Sequence, residues 1–361
     1  MMNDRFKLKK IIWSIDAFEE KEDLQAKAAR VLGVFQNKTF AQIEPVFVLG
    51  STELNWPVDY STDWMRDFQN NLRGHLEEVL LTSGFPHILT PKILIEPLAS
   101  TSAAVENLLE YAYKENVDMI IVSSHGRRGL DRFFLGSFAE TLLVHSKIPV
   151  LVIGSGIKLE PQFSHILFPT EFGEYSREIF RRTVSVAKQM NASVMIYHVV
   201  PMPARIVMDT GYYPSLYGIE GEMVSLEDFL RIQSEHQTRR AETWAEWAKS
   251  EGVQCTFKVE IAGDTVDDLI CNQALAQNCD LIIMEGQSGP IKVALLGSIA
   301  RNVVRAAPCP VMIFPRDALV EKEQEAETTT TTAAERTGLN GTPSPDMSFS
   351  NKLTDVRDFE I

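Results

Sequence analysis

Short apolar runs and amphipathic stripes alternate along this chain, and they do so twice. In the first half IIWSI, PVFVL, ILIE, DMIIV and PVLVI are brief, rich in β-branched residues and bounded by turn-forming positions, which predicts strands. Between ILIE and DMIIV, Val105, Leu108, Leu109 and Ala112 fall on one face at helical spacing. In the second half Val266, Leu269, Ile270 and Ala274 repeat that stripe, with Asp264 as the expected N-cap. The strand runs are apolar without alternation, as in sheets buried on both faces. Together with strand–helix alternation, this predicts an α/β protein built on doubly wound parallel sheets.

The two halves are copies. LGSFAETLLVHSKIPVLVI, from Leu135, matches LGSIARNVVRAAPCPVMIF, from Leu296, at an offset of 161 positions (297 − 136). VDMIIV from Val117 matches CDLIIM from Cys279 at an offset of 162 (280 − 118). KKIIWSIDAFEE from Lys9 corresponds to SHILFPTEFGEY from Ser164. Blocks in the same order at near-constant offset mean that a whole domain was duplicated. The expected division is 1–155 for the first domain, 156–163 for a linker, 164–316 for the second domain and 317–361 for a tail. That tail is charged and rich in Thr, Ser, Gly and Pro, a composition that predicts disorder. Trp244 and Trp247 sit three apart, as expected of a helix packed on the sheet. PMPARIVMDTGYYPSLYGIEGE, from Pro201, exceeds a routine connection and is expected to form a lid or contact loop.

Charge narrows the range of partners. A formal net charge of −14 argues against nucleic acid or an anionic membrane as the general partner. The apolar run after MMNDRFKLKK is broken by Asp16, Glu19 and Glu20, and no run approaches the ~18 residues of a membrane span, so a soluble cytoplasmic protein is expected. Cys255, Cys271, Cys279 and Cys309 form no C-x-x-C pair and read as small buried apolar residues in a reducing compartment.

Against that acidic background, VSSHGRRGLDRFFLGS, Val122 to Ser137, concentrates glycine and arginine between a strand and a helix. Gly126 and Gly129 let main-chain amides approach a ligand, while Arg127, Arg128 and Arg132 supply positive charge. Ser137 with Glu140 gives S-x-x-E, the expected capping box of a helix whose start favours an anion. Such a loop at the carboxyl end of a strand suits phosphates. The alternative is a glycine turn and a capped helix, with the arginines simply on the surface. No G-x-x-x-x-G-K-[ST] occurs, which sets aside the P-loop NTPases.

ILFPTEFGEYS, VMIYHVV, VEIAGD, VDMIIVSSHGRRGL and LLGS…PCPVMIF together resemble the universal stress protein (UspA-like) family, in its tandem two-domain form, over roughly residues 5–315. The resemblance implies two five-stranded parallel sheets of order 3-2-1-4-5, Rossmann-like and akin to the adenine nucleotide alpha hydrolases. It also implies ATP, AMP or another adenine nucleotide as ligand, with Mg as a candidate companion. Nucleotide-binding members carry G-x-x-G, nine residues, then G-[ST]. Here Ser123 stands at the first glycine position, and Gly126, the nine residues Arg127 to Leu135, and Gly136-Ser137 fit the rest. Ser123 offers an N–H and a hydroxyl. Asp16 fits the aspartate after the first strand, Val48 the contact on the second strand, and His125, Arg127, Arg128 and Gly129 complete the candidate set. The second copy departs: Glu285 occupies the first glycine position, Glu171 replaces the aspartate and Arg301 replaces the capping-box acid.

Three functions follow as expectations. The first is a non-catalytic, ATP-binding stress-response or signalling module. The second is a slow ATPase or nucleotidyl-transfer enzyme. The third is a nucleotide-free interaction scaffold. PVLVI and PVMIF are the expected edge strands, whose pairing would make the two copies an intramolecular pseudo-dimer; whole chains could also form a homodimer.

Overall fold

The computed structural model describes residues 6–15, 22–50, 70–71, 73–74, 88–98, 100–124, 135–154, 156–157, 161–173, 175–202, 212–214, 223–286 and 296–315. The first half contributes β1 (Lys10–Ser14), α1 (Glu22–Thr39), β2 (Gln42–Gly50), β3 (Lys92–Glu96), α2 (Thr101–Lys114), β4 (Met119–Ser124), α3 (Ser137–His145) and β5 (Val150–Gly154). The second half runs β6 (His165–Pro169), α4 (Ser176–Met190), β7 (Ser193–Pro201), β8 (Tyr212–Pro214), β9 (Met223–Ser225), α5 (Leu226–Ser250), β10 (Cys255–Ala262), α6 (Val266–Ala276), β11 (Leu281–Glu285), α7 (Ser298–Ala306) and β12 (Val311–Phe314). β8, within the expected lid, pairs with β9 just after it in a ribbon outside the main sheet.

Strand order in each half is 3-2-1-4-5, as expected, but the two sheets are one. β5 and β12 pair antiparallel, with Val152 opposite Val311, Leu151 opposite Met312 and Val150 opposite Ile313. Every other pairing in this ten-stranded sheet is parallel. The physical reason lies in the strands themselves: β5 and β12 are apolar throughout, and an uncovered edge of that kind seeks a partner. Leu151 and Met312 are equivalents under the repeat (312 − 151 = 161), so they sit on a local two-fold axis.

Helices cover both faces. The core on one side is built with α1, α4 and α5, and on the other with α2, α3, α6 and α7. Trp244 stacks on Phe180 at 5.1 Å and meets Phe172 edge-on at 4.9 Å, so the tryptophan stripe is core as expected. The stretch expected to be a linker also contributes packing. Phe163 is fully buried against Phe35 of the first half, ring centroids 5.1 Å apart. Reciprocally, Gln189 on α4 accepts from the Leu8 amide and donates to the Leu8 and Thr39 carbonyls.

The duplication extends to single hydrogen bonds. Asp118 accepts from the Lys9 and Lys10 amides at 2.8 Å, and its equivalent Asp280 accepts from Gln162, Ser164 and His165 at 2.9–3.0 Å. Each aspartate thus holds the entry to its half's first strand. One cap differs from expectation. Thr265, not Asp264, precedes α6, and its hydroxyl is engaged with Asp268 at 2.5 Å instead of the helix amides. Among the described residues no helix is long and apolar enough to cross a membrane. The expected tail, 317–361, lies outside the described residues.

Candidate functional site

Parallel pairing sets the carboxyl ends of β2, β1 and β4 side by side, Ser14 lying opposite Val46 on one flank and Val122 on the other. Just beyond sit Val48, Ile15 and Ser123, with the Ile15 amide bonded to the Val46 carbonyl at 3.0 Å. Asp16 follows Ile15 in the chain. It lies, with His125, Gly126, Arg127, Arg128 and Gly129, outside the described residues.

Val48 is half-buried on the face that α2 and α3 cover. Along β4, Ile120 and Val122 point to that same face and Ile121 to the other. Strand alternation therefore turns the Ser123 hydroxyl toward the α1 side, and its main chain alone borders the α3 side. The structure brings together Val48 and the start of α3 on one face, but not the Ser123 hydroxyl.

At α3 the expected capping box gives way to another arrangement. Gly136 is the N-cap (φ −59°, ψ 150°), Ser137 is the first helical residue, and among the described residues no side chain caps the helix. The serine lies one position too late to reach the first-turn amides. Those amides receive no side-chain acceptor from the described residues, and a helix start of that kind attracts an anion. Nor does the fold require a glycine here: φ is ordinary, and a Cβ would meet no described atom within 4 Å. Glu140, expected to reach back over the cap, instead pairs with Arg301 (2.9 Å) and Arg305 (3.7 Å) of α7. Sequence reasoning missed this role, although the 161-residue offset sets Glu140 and Arg301 at equivalent positions with opposite charge.

The corresponding region of the second half is closed on itself. Gly297 caps α7 as Gly136 caps α3, but its amide donates to the Gly286 carbonyl at 2.8 Å. Gly286 in turn donates to the Phe314 carbonyl at 3.0 Å, and a Cβ there would lie 2.9 Å from Ile313 Cγ2. This glycine is demanded by packing. Beside it, Glu285 accepts from the Ser176 hydroxyl at 3.3 Å, and Glu171 is exposed. His198 is buried, its Nδ1 2.7 Å from the Thr170 carbonyl and its ring 5.2 Å from Phe172. Burial depresses its pKa, outweighing the upward pull of that hydrogen bond and of Glu171; Arg240 adds to the depression. Arg240 itself donates to the Phe172 carbonyl at 2.6 Å and lies over the Phe172 ring.

The four cysteines are free and buried, and burial pushes the thiols of Cys255, Cys271 and Cys279 up to about 12, which leaves them protonated and inert at neutral pH. Among the described residues no group of three or more His, Cys, Asp or Glu is placed to hold a metal ion.

A family model described as the universal stress protein family matches residues 100–154 and 162–315, more than half of the chain. The chain belongs to the universal stress protein family. A universal stress protein of Methanocaldococcus jannaschii is 29% identical over 160 residues, covering 43% of this chain and 96% of that protein. This member's whole two-repeat body is like the crystal structure of a universal stress protein from Archaeoglobus fulgidus (TM-score 0.57, 19% identity, 86% of this chain and 97% of that one). A solved Pseudomonas aeruginosa protein of the same family description gives a TM-score of 0.53 at 15% identity, covering 90% of this chain and all (100%) of that one. At these identities the likeness speaks for the fold.

Proposed function

We propose that the first half of this universal stress protein binds an adenine nucleotide, ATP foremost, as a stress-response or signalling module rather than as a catalyst. The phosphates would lie against the main chain of Ser123, Gly126, Gly129 and Gly136 and the start of α3, with Ser137, His125 and the guanidiniums of Arg127 and Arg128 around them. Asp16 and Val48 would meet the nucleoside, and Mg would accompany a triphosphate. One observation carries the reading: α3 begins at a glycine that the described fold does not require, with first-turn amides that no described side chain caps. A glycine that the described residues do not require, near the end of an S-x-x-G-x₉-G-S sequence, suits close approach of a phosphate.

Gly297 caps α7 as Gly136 caps α3, but the second half has Glu285 at the first glycine position and Glu171 in place of the aspartate, negative charge where a triphosphate needs donors. One nucleotide per chain is therefore expected. Calorimetric titration of the full chain with ATP tests this, and dAMP, the ligand of a solved Archaeoglobus fulgidus universal stress protein, is a second titrant. Gly136→Val should weaken ATP binding at least roughly tenfold, about 1.4 kcal/mol or more, while leaving the unfolding temperature unchanged. Unchanged affinity in that variant would remove the phosphate site from α3.

A further inference from the structure

Where two halves of the same fold meet about a local two-fold axis, the contact must distinguish the other half from a second copy of the same half. The strand ladder at this junction does not. Val150, Leu151 and Val152 are equivalent to Val311, Met312 and Ile313, and either set could pair with itself in the same register. On the α1–α4 side the described junction contacts include Phe163 on Phe35, Gln189 on Leu8 and Thr39, and the Arg182 guanidinium over the Phe6 ring at 5.8 Å. On the α3–α7 side they include ion pairs.

There Glu140 stands where its equivalent is Arg301, and Val144 where its equivalent is Arg305 (offset 161 in both). Glu140 meets both guanidiniums, at 2.9 and 3.7 Å, and the three side chains are each about one-third exposed, at 31%, 35% and 33%. A first half paired with another first half would instead bring Glu140 toward Glu140. Two second halves would gather four arginines. Partial burial makes that repulsion felt more strongly than on an open surface.

We propose that Glu140, Arg301 and Arg305 form a pairing-specificity device: α3 presents a surface that fits a helix carrying two arginines one turn apart, and rejects its own copy. The junction is thereby heterotypic, first half to second half. This inference is independent of nucleotide binding.

The test uses the full chain and two readouts. Leu151 lies on the axis, so oxidised Leu151→Cys links two chains only where first halves meet each other. Leu151→Cys with Met312→Cys links first half to second. The single variant is expected to remain uncrosslinked on a non-reducing gel and the double variant to form the disulfide; a covalent dimer of the single variant overturns the proposal. The second readout is thermal unfolding. Arg301→Glu with Arg305→Glu should lower the unfolding temperature by several degrees, and adding Glu140→Arg to that pair should recover most of the loss. A charge-swapped triple variant no more stable than the double, including one that fails to fold, shows that the charges do not govern the pairing.

Discussion

At the scale of single residues, His198 shows how burial sets a charge state. Its Nδ1–H is engaged by the Thr170 carbonyl, and Arg240 and Glu171 are the charged groups whose fields act on it. Burial is the stronger influence, so the folded chain holds this imidazole neutral to a lower pH than the unfolded chain, where the ordinary value is about 6.5. The sign follows from which state takes the proton first. As pH falls below about 6.5 the unfolded state gains a proton that the folded state resists, so this contribution is complete above that pH and is lost below it. The unfolding temperature should therefore decline between about pH 6.5 and 5. In His198→Gln that decline should be shallower, and an identical slope in the two proteins would assign the acid limb to other groups. The glycines give the contrasting lesson. Gly286 is fixed by Ile313 packed against it, whereas nothing in the described fold fixes Gly136.

Elements are where sequence reading did best and where it slipped by one residue. The strands were legible because unbroken apolar runs between turn residues have few other uses, and β4 and β5 begin one residue into those runs and end one or two residues past them. Helix starts were less legible. A cap depends on which residue leaves helical geometry first, and Ser137 and Asp264 were each displaced by a neighbour, Gly136 and Thr265. Of the candidate site, the sequence pointed to the ends of β2, β1 and β4, which the fold sets side by side, and to α3. It did not reveal that the Ser123 hydroxyl turns away, because that depends on strand register, nor that Glu140 serves the junction, because that depends on how the halves meet. The paired aspartates were visible as an offset, and their work became visible only in the structure. Asp280 is buried and gathers the amides of Gln162, Ser164 and His165 before and into β6. Asp280→Ala should cost about 3 kcal/mol, since it strands several donors that water cannot easily reach, and denaturant unfolding would measure it. A loss under about 0.5 kcal/mol would mean that the strand entry is held by its ladder alone.

For the molecule as a whole, the single sheet matters more than the duplication. β5 and β12 join ten strands without a break, and aromatic packing and the Gln189 hydrogen bonds tie the halves again on one face. Separate beads on a string would melt separately. This chain should show one calorimetric transition with matching calorimetric and van't Hoff enthalpies, and two resolved transitions would contradict that coupling. The outer edges, β3 and β10, are what the sheet leaves to its surroundings.

The seam between β5 and β12 has a practical side. Cutting the chain after Gly154 to obtain the first half by itself would bare Val150–Ile153, four aliphatic residues in a row with backbone groups suddenly idle. Such a fragment would carry a ready template for clumping, so its insolubility would say nothing against the proposed nucleotide site.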